Sequence, residues 1–209
     1  RGLDDADGDG VDMIDLSALV SADNATLIAE DGATLALGAA SIDRSDLIAQ
    51  KGFLGAGGAT LTTTATSWTG TNGFALDRAF TADGAGTLLD LSSLTTVERS
   101  GGSTNSDLNI SASDGGQVDL SGLGGFTDNA SGTNGLIRIT AEGAGSTIDL
   151  SGVSSISDAQ ITVRDGGDVS GQLVSLTGRS QLLKRGLDDA DGDGVDMIDL
   201  SALVSADNA

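Results

Sequence analysis

The chain of 209 residues has a net charge of −21, from 28 Asp, 3 Glu and 10 Lys or Arg, and it contains 32 Gly but no Pro, Cys, His or Tyr. This acidity disfavours nucleic acids and anionic membrane surfaces as partners, because phosphate binding needs Lys and Arg. Without Cys there are no disulfides, and with 2% aromatic residues the core volume must come from Leu, Ile, Val and Ala. No apolar run is long enough for a membrane-spanning helix, so membrane insertion is not expected.

The chain opens on an acidic segment, residues 4–12. Asp5, Asp7 and Asp9 alternate with small residues and are followed by Gly10, which matches the first half of a calcium loop of the EF-hand type. Hard oxygen ligands at alternating positions can wrap one Ca²⁺, while the glycine allows the sharp turn. The same segment recurs near the end of the chain. The predicted metal ligands of the two copies are Asp5, Asp7, Asp9, Asp12, Asp189, Asp191, Asp193 and Asp196.

This acidic segment resembles the Asp loops of dockerins and of thrombospondin type 3 repeats, and the resemblance implies bound Ca²⁺ as a cofactor. It departs from the EF-hand at the closing position, where Leu16 stands in place of an acidic residue, so that Asp12 or Asp15 has to complete the site. The alternative is a solvated acidic turn without metal. Docking to a cohesin is disfavoured, because paired dockerin loops are not 184 residues apart.

Two short patterns recur along the rest of the chain. The first is an apolar residue followed by Asp-Leu-Ser, which predicts strands with apolar side chains inward. The second is an apolar segment that ends in Asp-Gly, which predicts a corner where glycine supplies the positive φ. The first pattern begins at Ile14, Leu89, Val118, Ile148 and Ile198; the leading apolar residues of the second are Leu3, Leu27, Leu47, Phe80, Ile110, Ile139, Ile161 and Leu187.

These leading residues divide 184 residues into seven steps of 20 to 33 residues. Coils of this length with several short strands and glycine corners predict an all-β fold, a parallel β-helix or β-solenoid of about seven coils. A third short strand per coil is expected near Val97, Phe126 and Ile156. The alternative is a β-sandwich with hairpin turns every 8–12 residues, which the recurring Asp-Leu-Ser pattern disfavours.

Asp90, Asp119 and Asp149 belong to consecutive predicted coils, so they are expected to stack outward in a column about 4.8 Å apart. Like charges that face each other are unfavourable. Hydrogen bonds from Ser92, Ser121 and Ser151 could offset this repulsion, or cations could bind along the column. A solvated acidic face without cations is the third alternative.

Trp68 lies in the longest step, between Leu47 and Phe80. The expectation here is a longer strand or a loop that projects from the shaft, with Trp68 covering a gap or making a lateral contact. The threonines at 60–66 suggest an ice-binding row, but the row does not recur in other coils.

The last 25 residues, 185–209, repeat residues 1–25 without a mismatch. We therefore predict that residues 1–184 are one full tandem repeat of a β-solenoid and that residues 185–209 begin the next identical repeat. Near-identical units of this length are typical of fibres and stalks.

At the level of these coils, the chain resembles the β-helical shafts of large bacterial surface proteins, such as filamentous haemagglutinin-like adhesins and autotransporter passengers. The resemblance implies a secreted prokaryotic protein at the cell surface. It predicts a structural unit of an extracellular filament, stalk or adhesin shaft, a rigid acidic rod stabilised by calcium. The expected partners are other copies of the repeat, end to end and laterally, and a tip ligand that this sequence does not identify.

An enzyme is not expected. The chain has no His, two Lys and few aromatic residues to stack on sugar rings, and no catalytic residue is predicted. The alternative function is a carbohydrate-binding or carbohydrate-active β-helix, which paired carboxylates would serve. A cleft lined by Asp90, Asp119 and Arg138 would favour it.

Overall fold

The structure is a computed structural model, and it describes residues 13–55, 58–71, 77–100, 106–128, 135–185 and 204–207. Within these ranges every regular element is a β-strand, and every strand pair is parallel. The described residues contain no helix that is long and apolar enough to cross a membrane.

The strands form four sheets. Sheet 1 contains β1 (Met13–Leu16), β4 (Thr34–Leu37), β7 (Thr60–Thr63), β10 (Leu88–Asp90), β13 (Gln117–Asp119), β16 (Thr147–Leu150) and β19 (Asp168–Gly171). Sheet 2 contains β2 (Ser21–Asp23), β5 (Ser41–Asp43), β8 (Ser67–Thr71), β11 (Thr96–Ser100) and β14 (Phe126–Asp128). Sheet 3 contains β3 (Thr26–Glu30), β6 (Asp46–Gln50), β9 (Arg78–Asp83), β12 (Leu108–Ser113), β15 (Ile137–Glu142), β18 (Ala159–Arg164) and β21 (Gln181–Arg185). Sheet 4 contains β17 (Ser155–Ser157), β20 (Ser175–Thr177) and β22 (Ser205–Asp207).

Each strand pairs with the strand three places along the chain, except where sheet 2 gives way to sheet 4 and at β20, which pairs with β22. Strands β1 to β3 are therefore the first coil of a parallel β-helix, and β19 to β21 are the seventh. Sheet 4 takes over the face of sheet 2 in the last coils, and β14 and β17 are in contact. The predicted fold class, an all-β parallel solenoid, is confirmed, and the described strands form no antiparallel hairpin of the kind a β-sandwich needs.

The core consists of columns of side chains that stack from coil to coil. In sheet 3 one column is large and apolar, and a second column is mostly alanine, because a narrow coil leaves little room near its corner. The first runs through Leu27, Leu47, Phe80, Ile110, Ile139, Ile161 and Leu182; the second runs through Ala29, Ala49, Ala82, Ala112, Ala141, Val163 and Lys184. From Leu47 to Ile161 the first column is at most 1% exposed.

The predicted third strand of each coil is present as β11, β14 and β17. The Asp-Leu-Ser pattern needs a correction, because in β10 and β13 the strand ends at the aspartate and the following Leu-Ser lies outside it. The leucines Leu91 and Leu120 are nonetheless fully buried. This pattern therefore marks the end of a strand and the corner that follows it.

The last coil of sheet 3 is also displaced from its predicted position. Leu182 pairs with Ile161 in register, five residues before the predicted leading residue Leu187. The sequence pattern is obscured there, because Lys184 occupies the position that Val163 fills in the preceding coil. Leu3 and Leu187 lie outside the described residues.

Trp68 is part of the core and does not project from the shaft. It is 1% exposed and stacks between Ile42 and Val97 of the neighbouring coils. Its indole Nε1 donates a hydrogen bond to the backbone oxygen of Ser45 at 3.0 Å, and its ring meets Phe80 edge-on with 5.4 Å between the centroids. A lateral contact made by Trp68 is therefore excluded.

Candidate functional site

The predicted calcium ligands lie outside the described residues; they are Asp5, Asp7, Asp9, Asp12, Asp189, Asp191, Asp193 and Asp196. The chain order nonetheless relates the second acidic segment to the coils. It follows β21 of sheet 3 and precedes residues 197–200, which are the sequence copy of β1 in sheet 1. In most other coils the same connection from sheet 3 to sheet 1 is a short corner, such as residues 114–116 between β12 and β13, whereas the nine residues 51–59 connect β6 to β7.

These corners confirm the predicted Asp-Gly turns and add one feature to them. The glycine has positive φ, and so does the aspartate before it: Asp114 has φ 51° and Gly115 has φ 86°. Asp31 with Gly32 and Asp165 with Gly166 repeat this geometry. Two successive left-handed residues make a tight turn, and Asp and Gly are the residues that accept this conformation most readily.

A lysine ties three coils together at the same corner. The ammonium of Lys51, after β6, lies 2.5 Å from a carboxylate oxygen of Asp114 and 3.9 Å from one of Asp83. The hydrogen bond to Asp114 and the charge of Asp83 raise the pKa of Lys51. Lys51 is half-exposed, so this contact orders the corner more than it stabilises the fold.

The predicted column of aspartates is present on the outer face of sheet 1. Asp119 lies in register with Asp90 on one side and with Asp149 on the other. Each carboxylate accepts a hydrogen bond from the backbone N–H two residues later, at 3.0 Å for Ser92, 2.9 Å for Ser121 and 2.8 Å for Ser151.

These bonds are the ones that the first of the three alternatives requires, from Ser92, Ser121 and Ser151. Each carboxylate oxygen is held toward its own corner, in the geometry of an Asx turn. Among the described residues, no group of three or more acidic side chains is placed to hold a metal ion.

Arginines form a second set of contacts between coils, and the sequence patterns did not reveal them. Arg78 on β9 reaches back to Asp46 of the preceding coil at 3.4 Å and to the side-chain oxygen of Asn24 two coils back at 2.6 Å. The other pairs follow the same rule. They are Arg44–Asp23 at 2.7 Å, Arg138–Asp107, Arg164–Glu142 at 2.5 Å and Arg179–Asp158 at 2.8 Å.

The pair Arg179–Asp158 shows how such a contact fixes the corner between sheets 4 and 3. Asp158, with φ 52°, accepts hydrogen bonds from Arg179 Nε at 2.8 Å and from the Arg179 backbone N–H at 3.2 Å. The side-chain hydrogen bond from Arg179 lowers the pKa of Asp158 against the opposing effect of burial. Asp46, Asp77 and Asp107 accept backbone N–H bonds from the following coil in the same way.

The structure does not bring together the residues that would line a carbohydrate cleft. Asp90 and Asp119 are on sheet 1, whereas Arg138 is on sheet 3, where it contacts Asp107 and Gln160. The described polar side chains mainly join coil to coil. The arrangement therefore favours a structural role for these charges.

Comparison with known proteins gives no match to a family model, to a curated protein or to a solved structure. The fold class is therefore established by the parallel sheets of the chain itself.

Proposed function

We propose that the chain is the structural repeat unit of an extracellular filament, stalk or adhesin shaft of a secreted prokaryotic surface protein. In this proposal residues 1–184 are one unit, and further units continue the same solenoid end to end. The unit acts as a rigid acidic rod. Its partners are other copies of the repeat.

One observation supports this proposal most strongly. Strand β22 is the sequence copy of β2 in the second repeat, and it stacks in parallel on β20, with Ser205 opposite Ser175, Ala206 opposite Leu176 and Asp207 opposite Thr177. This one strand thus lies on β20 as the corresponding strand of an eighth coil would. A continuous shaft needs this contact at every boundary between repeats.

The distribution of contacts agrees with a mechanical role. Backbone pairing and charge pairs both join neighbouring coils, so stability is spread along the axis as coil-to-coil interfaces. Seven coils at about 4.8 Å each give a unit roughly 34 Å long.

Negative-stain electron microscopy of chains with one, two and three copies tests the proposal. We expect thin straight rods that lengthen by about 34 Å per copy. Compact particles whose length does not follow the copy number would overturn the shaft function.

We also propose that Ca²⁺ binds the acidic segments, through Asp5, Asp7, Asp9 and Asp12 and their copies. The support is the alternation of carboxylates before Gly10 and the position of the second segment between the seventh coil and the next copy of β1. Calcium there would neutralise charge once per repeat and fix the connection, which a chain of net charge −21 otherwise has to hold against repulsion.

The double substitution Asp7→Ala with Asp191→Ala tests the calcium proposal. We expect it to lower the melting temperature in millimolar Ca²⁺ and to have little effect in chelator, because it removes ligands that matter only when metal is bound. Calorimetry in Ca²⁺ and in chelator measures the two melting temperatures. An equal loss of melting temperature in both would show that these aspartates act without calcium.

A further inference from the structure

We propose that the open edge of β21 is the docking seat for strand β3 of a second copy of this chain. This inference rests on the proposed function and specifies its junction. Strands β21 and β3 are the two ends of sheet 3, and in the described part of the chain each pairs with one neighbour only, β18 and β6 respectively. Open strand edges are ready templates for pairing.

The contact of β22 with β20 fixes how the second copy approaches. The backbone N–H groups of Val204 and Ser205 both donate to the Val174 oxygen, at 2.8 and 3.1 Å, and the Ser205 hydroxyl donates to that of Ser175 at 3.2 Å. Because 205–207 copy 21–23, the strand β2 of a second copy takes this same seat. Only residues 24 and 25 separate β2 from β3, so β3 then arrives at the edge of β21.

The register of the junction follows from the columns of sheet 3. Every pair of adjacent coils keeps Leu27, Leu47 and their equivalents in line, and Leu182 is the last member of that column among the described residues. Docking therefore sets Leu182 over Leu27 of the second copy. Both are only partly buried in this structure, and stacking covers the open side of each.

The same register pairs opposite charges and apolar groups on the outside. Arg185 faces Glu30 of the second copy, whereas within the chain Arg185 lies beside Arg164, whose own partner is Glu142. Leu183 faces Ile28, which is 44% exposed. The outward side chains of β21 therefore match those of Thr26–Glu30 in the second copy. Leu183 contacts an apolar residue and Arg185 contacts an opposite charge.

Lys184 weakens this docking site. It occupies the register position of the alanine column, opposite Val163, but it is exposed in this structure, and docking sets it opposite Ala29 of the second copy. A charged residue at this position of a strand edge opposes pairing with a foreign strand. A second copy in the same polypeptide overcomes this cost through its high effective concentration, so Lys184 favours docking within one polypeptide over docking between molecules.

Amide hydrogen exchange tests the proposed docking of β3 on β21. The sample is a two-copy chain, residues 1–184 followed directly by 1–209, and the reference is the 209-residue chain. We expect the amides of residues 181–185 of the first copy to exchange about 100-fold more slowly in the two-copy chain, because docking pairs the open edge. A concentration series of the 209-residue chain distinguishes docking between molecules, in which protection grows with concentration, from docking within one polypeptide.

Substitutions supply matched controls. Leu27→Asp in the second copy is expected to abolish the protection of residues 181–185, whereas the same substitution in the first copy leaves it intact, because it lies at the opposite end of the first copy. Arg185→Glu in the first copy reduces the protection, and adding Glu30→Arg in the second copy restores it by reversing the pair.

If residues 181–185 exchange equally fast in both chains while the rods still lengthen with copy number, β3 does not dock on β21, but the proposed shaft function is retained. If rods do not lengthen, the proposed function itself fails.

Discussion

The middle coils and the end coils are built from the same columns but bury them to different depths. Leu47 and Ile139 are fully buried, whereas Leu27 and Leu182, at the two ends of their column, are only partly buried. Residue type is nearly constant along this column, so the number of neighbouring coils sets the difference. A single coil cannot bury its own apolar face, which is the defining property of a solenoid.

The outer surfaces of the two regions also differ. The exposed large apolar side chains of the described residues are Val20, Ile28, Phe53, Leu54, Val174 and Val204. Val20 and Ile28 lie in the first coil and Val174 and Val204 lie from the seventh coil onward, whereas Phe53 and Leu54 lie in the connection between β6 and β7. On the outer face of sheet 3 the middle coils present Thr81, Ser111, Thr140 and Thr162 in one column.

The largest expected effect comes from cavities at equivalent positions of one column. Ile139→Ala in the middle should lower the free energy of unfolding by about 2–5 kcal/mol, because coils on both sides enclose the cavity. Leu27→Ala in the first coil should cost about half of that or less, since the site is partly open and can relax. Urea unfolding measures both, and equal losses would contradict the comparison.

The next largest loss of stability is expected where two coils pack too closely to admit a side chain. A Cβ on Gly122 would lie 1.9 Å from the backbone oxygen of Ser92 in the preceding coil, whereas one on Gly124 would meet nothing closer than 3.8 Å. Gly122→Ala should therefore cost about 1–3 kcal/mol by forcing the coils apart. Gly124→Ala is the matched control and should be close to neutral in the same unfolding experiment. Equal costs for both would show that coil spacing does not limit this corner.

A smaller effect depends on pH. Arg179 lowers the pKa of Asp158 below its unfolded value of about 3.9, so this pair stabilises the fold above about pH 4. Its contribution is lost as the pH falls through the lower pKa of the folded state. Arg179→Met should therefore cost less than about 1 kcal/mol at pH 6, because Arg179 is half-exposed, and the cost should shrink as the pH falls below about 4. Arg179→Lys keeps the charge as a control, and a deficit that stays the same as the pH falls would show lost packing instead.

The smallest effect is expected at Lys184. Lys184→Ala makes the inward column small throughout, so it should strengthen the junction of a two-copy chain by about 0.5–1 kcal/mol. In the 209-residue chain, where β18 is the one described strand that pairs with β21, the same substitution should be nearly neutral. Differential unfolding of the two chains measures this, and a loss of stability in the two-copy chain would show that Lys184 supports the junction.

The fold class could be predicted because each coil contains short sequence motifs at its corners. Asp-Gly recurs where the backbone needs two left-handed residues, as at Asp114 and Gly115, and Asp-Leu-Ser recurs where an Asx turn ends a strand. The seventh coil was misplaced because Lys184 interrupts the small apolar position that marks the other coils. Trp68 was misjudged because its stacking partners, Ile42 and Val97, lie more than 25 residues away in the sequence.

The charge pairs between coils could not be predicted from the sequence for the same reason. Arg78 and Asp46 are 32 residues apart, and coil lengths from 20 to 33 residues give no fixed spacing to search for. Once the register is known, the rule that an arginine reaches back one coil is simple. The predicted calcium ligands stay a prediction, because Asp5, Asp7, Asp9 and Asp12 and their copies lie outside the described residues.

The most direct test of a shaft that continues across repeats is the experimental structure of a two-copy chain. We predict that β2 and β3 of the second copy pair in parallel with β20 and β21 of the first, about 4.8 Å away, so that one core runs through the boundary. Two solenoids with separate axes, and with β21 still unpaired, would contradict this account.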